Sequence, residues 1–266
     1  MSLPTAFLKR DFRLESSYRL AFLTSFGGAL VTLLSAGFLS HIVPGHQKAL
    51  KPYGSDYFTF ALVGTAALSY FSVALGTFST NLSQEQQQGT MEALLVTPTD
   101  PRMILLCGAT WPFIFATVQL VLYVVVGALL FHAKVAVDHL ALAAVMMFLT
   151  VVAFSATGLV AASVMVLAKR VGVLLSFVGS AFALLGGVLY PISVLPRFLQ
   201  VVAQLFPMVH GLDGTRLALV EHPDLARIGR DALILIAFAV VLIPLSLQTF
   251  QMALRRARRI GTLSHY

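Results

Sequence analysis

"MILLCGATWPFIFATVQLVLYVVVGALLFHA", residues 103–133, runs for 31 positions between Arg102 and Lys134 without one charged side chain. A helix needs about 20 apolar residues to cross a hydrocarbon layer of about 30 Å. Membrane-spanning strands instead alternate apolar and polar positions over about ten residues, and no such alternation is evident here. The pattern recurs along the chain. Uncharged intervals of 28 residues lie between Arg19 and Lys48, 28 between Asp56 and Glu85, and 30 between Asp138 and Lys169. Two more hold 26 residues between Arg170 and Arg197 and 23 between Asp231 and Arg255. Helices satisfy their own backbone hydrogen bonds, as hydrocarbon demands. The chain reads as all-α and polytopic, with six transmembrane helices near 20–43, 57–80, 103–131, 140–168, 171–191 and 231–254.

Composition excludes an ordinary soluble domain. The 266 residues are 58% hydrophobic and 11% charged, with a mean hydropathy of +0.87, against about 25% charged residues in soluble proteins. The net charge of +7 is placed for membrane topology rather than for nucleic acid. Six spans put both termini on one side, together with Lys9, Arg10, Arg13, Arg19, Arg102, Lys169, Arg170, Arg255, Arg256, Arg258 and Arg259. The other side holds Lys48, Lys51, Lys134, Arg197, Arg216, Arg227 and Arg230. This bias predicts cytoplasmic termini in a cell membrane, and the basic cluster from Arg255 to Arg259 reads as a topology anchor, with binding of anionic lipid headgroups as the alternative. The basic start is followed by a span too long for a signal h-region, so an uncleaved first helix is expected. The lone Cys107 forms no intrachain disulfide and reads as a packing residue.

Two segments outside the spans stand out. Residues 1–19 carry Leu3, Phe7, Leu14 and Tyr18 on one helical face, which predicts a short interfacial helix. Residues 191–224 are punctuated by Pro191, Pro196 and Pro207, with only 15 uncharged positions between Arg197 and Asp213. An apolar run of that length, including Phe198, is too short to cross and predicts a re-entrant hairpin at the outer face. In the fifth span Gly172, Ser176 and Ser180 share a face that lets helices approach closely.

Most chemical motifs are missing from the sequence. No phosphate-cradling G-x-x-x-x-G-K-[ST] loop occurs. His41, His46, His132, His139, His210 and His222 fall near expected outer helix ends without zinc-type spacing, and they read as interfacial residues. The "GLDGTR" of residues 211–216 carries one aspartate, Asp213, where metal-dependent membrane transferases need several. An integral-membrane lipid-modifying enzyme using the histidines and Asp213 is therefore the alternative reading, and a purely structural membrane subunit is a third. No ionisable residue lies deep in the expected spans, where proton-coupled carriers place them. Energy for any transport would have to come from elsewhere.

The polar stretch "NLSQEQQQGTMEALLVTPTDPR", residues 81–102, interrupts this apolar chain between spans two and three. Thr90 can cap a helix starting near Met91, and the Thr-Pro-Thr-Asp-Pro ending stops it. The order Glu85, Gly89, Thr90, Glu92, Leu94, Leu95, Thr97, Pro98 resembles the loop between helices two and three of type-2 ABC exporter permeases. Pro191, Ser193, Pro196, Pro207 and Arg216 are similar to the late segment of the same family, and the resemblance covers nearly the whole chain. One departure is the run Gln86, Gln87, Gln88, where relatives often carry more charge.

The resemblance implies a single non-catalytic permease domain over residues 1–266. It implies a homo- or heterodimer of such subunits working with two copies of a separate ATPase that binds ATP and magnesium. This chain would bind no cofactor itself. Residues 81–102 would form a coupling helix seated in the ATPase, through Glu85, Gln88, Gly89, Thr90, Glu92, Leu95, Thr97 and Pro98. Pro191, Pro196, Phe198, Pro207 and Arg216 would border the outer exit for an amphiphilic cargo, a drug, lipid or lipid-linked glycan.

Overall fold

The structure is a computed structural model that describes residues 3–17, 28, 31, 34, 35, 37, 38, 47–54, 56–87, 101–131, 137–167 and 172–260. Every regular element among these residues is helical. They are α1 (Leu3–Ser17), α2 (Gln47–Leu50), α3 (Tyr57–Gln87), α4 (Pro101–Phe131), α5 (Leu140–Leu167), α6 (Gly172–Leu185), α7 (Arg197–Gln204), α8 (Pro207–Ala218) and α9 (Leu225–Ile260), with single 3-10 turns at Lys51–Tyr53, Val137–His139 and Ile192–Val194. Among the described residues, four helices are long and apolar enough to cross a membrane, over Tyr57–Gln84, Leu106–Leu129, Leu140–Val164 and Leu225–Arg256. The expected first span, 20–43, lies outside the described residues except for six isolated positions.

The four long helices pack as a bundle in which α4 and α9 share the cluster around Phe78, Ala109 and Phe250. α4 packs on α3, α3 on α5 and α5 on α9, while α1 lies against α4. The central place of α3 follows from its small buried residues Ala61, Ala66, Ala67 and Ala74, which let neighbours approach on both sides. The crossing of α3 and α5 is close enough that a Cβ at Gly158 would stand 2.4 Å from the Ala74 carbonyl oxygen. Phe71, Phe154 and Met147 then close the centre, with the Phe71 and Phe154 rings 5.7 Å apart. Several hydroxyls within the spans turn back onto their own helices. Thr65 donates to the Ala61 carbonyl, Thr150 to Met146 and Ser163 to Leu159, so these three need no water.

Helix α3 runs to Gln87, past the expected 80, and α9 to Ile260, past 254, and two further boundaries differ from the sequence reading for a local reason. The fifth expected span, 171–191, appears as the 14-residue helix α6, which ends at Leu185. Gly187, with φ of 67°, turns the chain there, and Pro191 follows. At about 1.5 Å per residue this described helix is shorter than a straight crossing requires. The last helix starts at Leu225 rather than at 231, because Asp224 caps it by accepting from the Arg227 N–H at 3.1 Å. Arg227, Arg230 and Asp231 are therefore helical.

Candidate functional site

The chain's unusual chemistry concentrates at the end of the bundle farthest from residues 81–102, hereafter the distal end. Here residues 191–224 fold as α7 and α8, two short helices leading into α9. Pro191 precedes the turn Ile192–Val194, Pro196 opens α7, and Pro207 opens α8 at its first position, where a missing N–H costs nothing. α7 leaves Phe198, Val201 and Val202 exposed, as is Leu205 at its C-terminal cap. α8 is wedged between α5 and α9, and nearly all of it is buried.

Arg216 sits on the buried face of α8 and is only 6% exposed. It donates to three backbone carbonyls, those of Gly187 at 2.8 Å, Val188 at 2.6 Å and Phe60 at 3.0 Å. Its guanidinium also lies 3.4 Å from the Phe60 ring centroid, a cation–π contact. One side chain thus clasps α8, the turn after α6 and the start of α3. Gly64 is a condition of this clasp. A Cβ there would stand 2.1 Å from the Val188 oxygen and 2.3 Å from Arg216 Nη2. Burial pulls the Arg216 pKa down to about 9, with Asp213 acting the other way, so the group stays cationic at neutral pH.

Acidic residues organise the surroundings. Asp213 accepts from the Tyr53 hydroxyl and pairs with Arg227 at 2.8 Å. Burial, reinforced by Asp213, pushes the Tyr53 phenol up, so it stays a donor. Asp56 caps α3 by accepting from the Phe58 and Thr59 N–H groups, each at 3.2 Å, where a carboxylate also meets the positive end of the helix.

His210 contacts Asp231 on α9 at 3.1 Å and the Gln204 carbonyl at 3.0 Å. Asp231 is 1% exposed. The Asp231 hydrogen bond raises the His210 pKa, although burial works against it. A raised folded-state pKa adds stability that is complete below the unfolded value of about 6.5 and fades as pH rises through the folded value. The melting-temperature gap between the wild type and His210→Gln should therefore be widest at mildly acidic pH and narrow toward pH 8. A gap independent of pH would mean that His210 contributes by shape alone.

His210 and Asp213, the groups an enzyme reading would use, are both engaged in joining helices. Among the described residues no three His, Cys, Asp or Glu side chains come together to hold a metal. The clasp and the His210–Asp231 pair were not legible beforehand, since two of the clasp's acceptors lie 28 and 29 residues away and are backbone atoms.

At the opposite end α3 runs to Gln87 and α4 resumes at Pro101. Glu85 lies in the last turn of α3. The other expected coupling residues, Gln88, Gly89, Thr90, Glu92, Leu95, Thr97 and Pro98, lie outside the described residues. The sequence model described as ABC-2 type transporter matches residues 5–220, a range that takes in both this connection and the Arg216 clasp. The chain belongs to the ABC-2 type transporter family. As a permease of this family it is a membrane transport subunit, built here on apolar membrane-crossing helices. It is also similar to the inner membrane transport permease YadH of Escherichia coli K12, 26% identical over 195 residues, or 71% of this chain and 74% of that protein. The Shigella flexneri protein of the same description is equally similar, over the same shares.

Proposed function

We propose that this chain is the membrane half of an ATP-driven exporter. Two copies, or one copy with a close relative, cross the inner membrane with both termini in the cytoplasm. Each receives one ATPase subunit on residues 81–102, and ATP and magnesium stay on that partner. The observation that carries this reading is the family match over residues 5–220, which spans the polar connection between α3 and α4 and the distal helices alike. ATP binding draws the ATPase pair together, and α3 and α4, which flank the connection, carry the displacement to the distal end. A partner drives such a change only by binding the two states differently.

In this arrangement α7 lies at the outer leaflet, with the exposed Phe198, Val201, Val202 and its C-terminal cap Leu205 facing hydrocarbon beside the exit. The cargo is amphiphilic, in keeping with an apolar, aromatic-rich membrane domain. Proteoliposomes containing this chain and its ATPase test the reading: hydrolysis should rise with amphiphilic candidates such as lipid-linked glycans, and indifference to every amphiphile would refute the cargo class. Orientation has its own test. Cysteines replacing Ser83 and Ser264 should be shielded from an impermeant thiol reagent in intact cells while one at Gly45 reacts, and the opposite pattern would invert the topology.

A further inference from the structure

A cleft of about 600 Å³ opens between α4 and α9, floored by α3 and α5. Its lining is apolar, with Phe78 on α3, Leu106 and Phe113 on α4, Val152 on α5, and Leu247 and Phe250 on α9. That volume lies within the range of about 300–1,000 Å³ typical of ligand pockets. Most of the few hydroxyls on the walls are already engaged. Thr110, Thr117 and Ser246 donate to the carbonyls of Leu106, Phe113 and Ile243 on their own helices. The walls suit hydrocarbon. The two outer walls each carry an internal proline at this level, Pro112 in α4 and Pro244 in α9, which removes a helical hydrogen bond and favours bending.

Depth and charge decide the occupant. The cleft occupies the half of the spans nearest residues 81–102, since it uses the last part of α3, the first part of α4 and the later part of α9. Helix α1 is joined to α4, one wall of the cleft, by the edge-on contact of Phe12 with Trp111, 5.4 Å between centroids. Described side chains at this end carry the cations Lys9, Arg10, Arg13, Arg255 and Arg256, all exposed, against the carboxylate of Asp11, itself bonded to Arg10. A second copy of this chain docked here would bring the same cations against these. An anionic lipid brings the opposite charge and a hydrocarbon chain of the right chemistry.

We infer that this cleft is a site for an anionic glycerophospholipid of the leaflet nearest residues 81–102. An acyl chain fills the space between α4 and α9, and the phosphate lies against the basic residues of α1 and α9. The lipid is a resident wedge between the helix that leaves the polar connection and the last helix. This inference needs only membrane insertion and does not depend on the cargo or on ATPase coupling.

The test uses the full chain in nanodiscs of phosphatidylcholine with and without phosphatidylglycerol, read by native mass spectrometry and by melting temperature. Wild type should retain phosphatidylglycerol after detergent exchange and melt higher in its presence. Ser155→Trp, which fills the cleft, should lose the retained lipid and the shift. Replacing Lys9 and Arg13 by Gln, surface changes compatible with folding, should reduce the preference for phosphatidylglycerol over phosphatidylcholine by roughly an order of magnitude. Equal retention by wild type and both variants would mean annular lipid only and would overturn the site. So would efficient Ser155→Cys cross-linking between two copies, which would place protein in the cleft.

Discussion

Arg216→Leu should strip the distal end of its clasp and leave a protein that inserts but melts far below wild type. Gly187 and Val188 lose their bonds to the guanidinium, and each buried carbonyl left without a donor costs about 1–3 kcal/mol. The Phe60 contact goes with them. The total, on the order of 2–5 kcal/mol, is a large part of a domain's stability of about 5–15 kcal/mol. Arg216→Lys should recover little, because an ammonium on a flexible stem cannot hold three diverging acceptors or stack on a ring as a planar guanidinium does. Gly64→Ala attacks the same contact from α3, where the new methyl meets the Val188 oxygen. The two losses should then be less than additive, as changes sharing one contact are. Thermal melts of purified Arg216→Leu, Gly64→Ala and the double variant decide this. A wild-type melting curve for Arg216→Leu would remove the clasp from the account.

Glu92→Lys should leave the membrane domain folded and inserted yet reduce ATPase association or the cargo moved per ATP hydrolysed. If residues 84–98 seat in an ATPase groove, Glu85 and Glu92 are the acids available to meet basic partners there. An exposed ion pair contributes about 0–1 kcal/mol, whereas losing one member of a buried interfacial pair costs about 2–5 kcal/mol. A solvated loop would tolerate the reversal. Reconstituted Glu85→Lys and Glu92→Lys complexes with full ATPase affinity and wild-type transport per ATP would remove the coupling assignment.

Membrane character was legible because hydrocarbon excludes charge over an entire helix, and an uncharged run such as 103–133 leaves few alternatives. The family was legible because the connection between α3 and α4 has a fixed order of Gly, Thr, acid, Leu and Pro, which a generic loop does not need. Helix ends were less legible where charges pair. The charge count started the last span at 231, yet Arg227 reaches Asp213 and Asp231 reaches His210, so α9 carries these charges into packed structure. Charge alone also stretched the fifth span to 191, although Gly186, Gly187 and Pro191 end the helix first. The clasp was hidden for another reason. Arg216 was legible as a family position, but its partners are carbonyl oxygens, which every residue has, and Gly64 resembles any other packing glycine of a membrane helix.

The central claim is that this chain works as a subunit bound to a separate ATPase through residues 81–102. The most direct measurement is purification of the tagged chain from native membranes with whatever ATPase it retains, with the mass of the complex and its ATP hydrolysis determined for wild type and Glu92→Lys. The account predicts a complex of two permease and two ATPase subunits that hydrolyses ATP, and a Glu92→Lys preparation that inserts normally but loses the ATPase or its productive coupling. A permease that purifies without any ATPase, or a Glu92→Lys complex identical to wild type in composition and in transport per ATP, would contradict it.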